Sequence, residues 1–126
     1  MHLVPPERAG QPAIDEHRAC EAIEALGDPG HVAAWAERFA LVSDPNRLAI
    51  LLSVDRAGPI SVTDLALATG LTATSVSQVL RLLRASGAVS GTRDGRVIRY
   101  RLTDRTLGPI LAMARATHSA ARADHR

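Results

Sequence analysis

Between residues 72 and 81 the chain places Thr72, Thr74, Ser75, Ser77, Gln78 and Arg81, and further arginines follow at 84, 93, 96, 99 and 101. Glutamine can bond an adenine edge in bidentate fashion, arginine a guanine edge, and hydroxyls suit base edges or phosphates; the major groove of double-stranded DNA is where such readout is possible. Arg93 and Arg96 flank Asp94-Gly95 and can reach phosphates or the adjacent minor groove, with Arg99 a weaker candidate and Arg101 equally suited to a structural surface role. A second set of residues offers different chemistry. His17, Cys20, His118 and His125 carry imidazole and thiolate groups, which suit zinc, nickel, cobalt or copper.

The element that positions the first set is a helix. At 100° per residue, Val76, Val79, Leu80 and Leu83 fall on one side of residues 73–86, and Thr74, Gln78 and Arg81 fall opposite, flanked by Ser75 and Ser77. The apolar side anchors the helix and the polar side is left for a partner, although an ordinary solvated face also tolerates Gln and Arg. Thr72 or Thr74 can cap its start, where unpaired N–H groups favour a phosphate. Before it, Thr63 can cap a short helix carrying Leu65 and Leu67, and Gly70 permits a turn, so the pair reads as a helix-turn-helix. After it, VSGTRDGRVIRYRL predicts two short strands around Asp94-Gly95, with Val97 on a face that buries aliphatics while the arginines point outward.

The rest of the chain frames this unit. Residues 1–12, with Pro5, Pro6, Gly10 and Pro12, predict a flexible arm, and residues 123–126 a flexible tail. Residues 13–122 form the expected folded domain, serving both DNA binding and dimerisation. Ala19, Ala22, Ile23 and Leu26 predict an amphipathic helix over 14–26, and a second helix spans His31 to Val42. Asp44 and Pro45 are start signals for a largely apolar, central helix. A last helix from Thr103 or Asp104 to Arg122 has no obvious domestic core to cover, and is expected to pack on a second subunit. The expected fold is mainly α with a small β-hairpin wing, a winged helix-turn-helix, and dimeric.

Composition narrows the function. The single Phe, Trp and Tyr among 126 residues leave an aliphatic core and argue against aromatic stacking on single strands. Residues 1–28 hold Glu7, Asp15, Glu16, Glu21, Glu24 and Asp28 against Arg8 and Arg18, a balance of −4 with His neutral. Residues 72–101 hold Arg81, Arg84, Arg93, Arg96, Arg99 and Arg101 against Asp94, a balance of +5 that suits a polyanion. Cys20 is the only cysteine, so no intrachain disulfide is possible, and no apolar run reaches a membrane span; a cytoplasmic protein is expected. No phosphate-binding glycine loop or nucleophile–base pairing argues for an enzyme.

FALVSDPNRLAILL, followed by ISVTDLALATGLTATSVSQVLRLLRASGAVSGTRDGRVIRYRL, resembles the ArsR/SmtB family of bacterial transcriptional repressors over about residues 31–118. Val79 departs from the pattern, since many members carry His there. The resemblance implies a homodimer that binds a palindromic operator and releases it when an effector binds, with the first and last helices forming the dimer interface.

Many members of that family sense metals, and two of their ligand arrangements can be tried on these residues. A thiolate site on the helix before the recognition helix finds Ser61 and Thr63 and no Cys. A site on the last helix finds Asp104 in the first position, but Thr106, Thr117 and Ala120 in the others, with His118 one residue out of step. That leaves His17, Cys20, His118 and His125, with Asp124, as candidate ligands gathered across a dimer; His2 and His31 are weaker. The alternative is surface histidines, a packed Cys20, and a redox, small-molecule or absent effector.

Overall fold

Asp44 and Pro45 start α3 as the sequence requires: the Asp44 carboxylate accepts from the Arg47 N–H at 3.0 Å, and α3 runs Pro45–Ala57. The computed structural model describes residues 3–124, with side chains described through Thr117. Its chain divides into two compact units, Met1–Phe39 and Ala40–Arg126.

In the first unit a 3-10 turn at Pro6–Arg8 precedes α1, Glu16–Leu26. Asp15 caps α1 by accepting from the Arg18 N–H at 3.1 Å. Helix α2 spans His31–Val42 and crosses the boundary between the units; its Trp35 ring lies 5.8 Å from that of Phe39, with Arg38 stacked 5.0 Å over Trp35. No residue of α1 or α2 is fully buried.

The second unit holds the core. Arg47 donates from Nε to the Leu41 carbonyl and from Nη2 to the Ala40 carbonyl, both at 2.9 Å, satisfying orphan acceptors at the end of α2. Helix α3 presents Ile50, Leu51 and Val54 to the interior. A two-residue strand β1, Ile60–Ser61, leads into α4, Val62–Thr69, and Gly70 then takes a left-handed conformation at φ 77° that reverses the chain. Helix α5, Ala73–Ala85, follows, and then β2, Val89–Asp94, and β3, Val97–Leu102. The sheet is antiparallel in the order β1-β3-β2. A 3-10 turn at Arg105–Leu107, capped by Asp104, opens α6, Gly108–Asp124. One aliphatic core joins Ile50, Leu51, Val54, Leu65, Val76, Leu80, Leu83, Leu107 and Leu111, closed at the sheet side by Ala88, Val89 and Tyr100.

Four expectations are corrected. The cap of α4 is Ser61, whose hydroxyl accepts from the Asp64 N–H at 3.2 Å, and not Thr63, which lies inside the helix. The hairpin loop is Gly95-Arg96, because Asp94 still pairs with Val97 and so ends β2. Strand alternation puts the buried Tyr100 and half-buried Leu102 on the face toward the core; Ile98 shares that face but at 37% exposed is nearly as open as Val97, at 39%, on the opposite face with Arg99 and Arg101. Finally, α6 does have a domestic core to cover: Leu107 and Leu111 are fully buried, and Arg115 forms an ion pair with Asp55 on α3. Met113 remains largely exposed.

Candidate nucleic-acid interface

Helix α5 is held at both ends and along one side. Thr72 is its cap: the hydroxyl accepts from the Ser75 N–H at 3.0 Å and donates to Ser75 Oγ at 3.0 Å. Thr72 and Ser75 therefore engage each other at the helix start, and Ser75 is half-buried. Val76, Leu80 and Leu83 are fully buried, with Val79 packed beside them, so the azimuth of the helix is fixed by the core. Thr74, Ser77, Gln78 and Arg81 consequently stand exposed, as the helical spacing requires.

This exposed surface has two halves. Thr74 and Gln78 are exposed and do not line the groove beside the sheet. Ser77, Arg81, Arg84 and Ala85 instead line an open groove of about 510 Å3 whose remaining wall is Tyr100 of β3. Arg84 and Tyr100 were not singled out as site residues by sequence; the available signal was that Arg84 lies three residues after Arg81 and seven after Ser77, on one helical row. The pairing with Tyr100 is tertiary and leaves no mark in local spacing.

The wing arginines separate. Arg93 and Arg96 are exposed, Arg96 at the loop itself. Arg99 lies 3.3 Å from Asp94 in an exposed ion pair.

The metal candidates do not assemble among the described residues. His17 is largely exposed, and its Nε2 lies 3.1 Å from Glu21 Oε1, while Cys20 is half-buried. No group of three or more His, Cys, Asp or Glu residues placed to hold a metal ion occurs among the described residues. His118 and His125 lie outside the residues whose side chains are described. No helix among the described residues is long and apolar enough to cross a membrane.

Comparison with known proteins supports this geometry. A family model described as MarR family matches residues 44–97, from the cap of α3 through the start of β3. The chain is 42% identical over 84 residues to the HTH-type transcriptional regulator NmtR of Mycobacterium tuberculosis strain H37Rv, covering 67% of this chain and 69% of that protein. It is 37% identical over 78 residues to the HTH-type transcriptional repressor SmtB of the same organism, covering 62% of this chain and 57% of the relative. Among solved structures, the transcriptional repressor BigR from Xylella fastidiosa superposes with a TM-score of 0.63 at 28% identity, over 74% of this chain and 89% of that one. A capped recognition helix with a buried aliphatic side, an arginine-bearing hairpin after it and this degree of identity lead to one conclusion: the chain belongs to the ArsR/SmtB family of winged-helix transcriptional repressors.

Proposed function

We propose that the protein is a cytoplasmic homodimer that represses transcription by binding a palindromic operator in double-stranded DNA and lets go when an effector binds. The observation that carries the reading is the orientation of α5: its apolar side is locked in the core, which leaves Thr74, Gln78 and Arg81 outward with the arginine-bearing wing beside them. Two such helices in a dimer would enter successive major grooves about 34 to 36 Å apart. Dimerisation is supported by the first helices, which bury nothing fully and leave Leu26, Val32 and Phe39 substantially exposed. The test is binding to the protein's own upstream DNA. Gln78→Ala or Arg81→Ala should weaken specific binding by about 1 to 3 kcal/mol per lost bidentate contact. Unchanged operator affinity in both variants would remove the reading.

The effector we infer is a transition metal ion, zinc, nickel, cobalt or copper, bound with the help of His17 and Cys20 and residues of the last helix. A regulator with no metal site is the second reading, favoured by the pairing of His17 with Glu21 rather than with another ligand. Titrating the DNA complex with each metal and with an oxidant separates them. Release by one metal, lost in His17→Ala or Cys20→Ser, supports the sensor; release by the oxidant alone supports a redox switch.

A further inference from the structure

The groove between α5 and β3 is lined by Ser77, Arg81, Arg84, Ala85 and Tyr100, which among the described residues bring two guanidinium groups, two hydroxyls and no carboxylate. None of the four polar side chains makes a hydrogen bond or ion pair with another described residue. Tyr100 is the most informative of them. It is 8% exposed with its ring packed in the core, and its side-chain oxygen is not among the buried atoms left without a partner, so the hydroxyl still meets solvent at the groove. Arg81 and Arg84, one turn apart, also repel each other on an isolated helix. The negative end of the α5 dipole offsets some of that repulsion and would by itself account for Arg84. It does not account for Tyr100 and Ser77, whose side chains line the same groove.

We propose that this groove seats a phosphate of the DNA backbone, with Arg84 as its main contact and Ser77, Arg81 and Tyr100 as supporting donors. The proposal rests on the reading that α5 lies in a major groove while the wing reaches the adjacent minor groove. Between those two grooves runs one sugar–phosphate strand, and it must pass between α5 and the sheet, where these donors lie. Arg81 then stands at the border between base readout and phosphate, and Arg84 acts on phosphate alone. Such a contact adds affinity and sets register without reading sequence.

The test uses the full chain, its own upstream DNA, a random duplex of equal length, and a salt series. Arg84→Gln should weaken both duplexes by the same factor and reduce the slope of log affinity against log salt by about 0.9, the value for one lost phosphate contact. Tyr100→Phe, which keeps the ring in the core, should weaken both duplexes less and leave the slope unchanged. An Arg84→Gln protein with wild-type slope and affinity, or one altered only on the operator, overturns the proposal. Gln78→Ala in the same series keeps the two readings apart. Its failure to change operator preference strikes at base readout by α5, whereas a flat Arg84→Gln result strikes only at the phosphate seat.

Discussion

Helices α1 and α5 are written in the same local language and reach different states. Each opens on a side-chain cap, Asp15 in one and Thr72 in the other, and each carries an apolar stripe at helical spacing. In α5 the stripe disappears into the core, with Val76, Leu80 and Leu83 fully buried. In α1 no residue is buried, Ile23 is half-covered, and Leu26 is 48% exposed. The pattern therefore states which face of a helix needs cover and is silent on where the cover comes from. An isolated helix as short as α1 is marginal in water. It needs a second source of burial, which the second copy of the proposed homodimer would supply.

Substitutions can break or sharpen this contrast, and the largest effect is expected in the core. Leu80→Ala should destabilise the protein by about 2 to 5 kcal/mol in urea unfolding, whereas Ile23→Ala should cost far less when measured on dilute protein. Equal losses would mean that α1 is as firmly packed as α5. Gly58→Ala comes next, because a Cβ there would stand 2.6 Å from the Val54 carbonyl oxygen and 3.1 Å from that of Tyr100. Overpacking of backbone against backbone should cost about 1 to 3 kcal/mol, read as a lower melting temperature.

The caps provide a finer comparison. Thr72→Ala should cost about 1 kcal/mol, since unfolding α5 takes the core with it, while Asp15→Ala should be seen mainly as loss of helical circular dichroism from α1. The smallest effect on folding is expected from Leu26→Ser, which should leave the urea midpoint of dilute protein unchanged but shift the monomer–dimer equilibrium toward monomer in sedimentation. An unchanged equilibrium would take Leu26 out of the subunit interface.

Much of the winged unit was legible because its signals are local. The Asp44-Pro45 start and the Val76, Leu80 and Leu83 stripe depend only on nearby residues, and both appear as expected. What escaped depends on distant partners. Strand β1 has two residues and exists through Ile60 and Ser61 pairing with Tyr100 and Arg99. Ser61 becomes the α4 cap because that strand ends where the helix begins, which favours it over Thr63 two residues later. Val97 and Ile98 are nearly alike in hydrophobicity and in exposure, and only strand alternation separates them, placing Ile98 on the face of the buried Tyr100. The exposed face of the candidate interface was legible to the same extent. Residues of one helix face were found by angle, whereas the Arg84–Tyr100 groove needed the fold.

The ion pair between Arg115 and Asp55 bears on how α6 can change over evolution. Leu111 is buried and Arg115 follows it by one turn, so the two occupy the same stripe and together fix the phase of the helix against α3. Inserting a single residue between them would swing everything beyond it by about 100°, taking the guanidinium off its carboxylate and re-aiming the remainder of the helix. Insertions or deletions in that span should therefore be tolerated in threes and fours and rejected singly, a length rule written into the protein by one charged pair and one leucine.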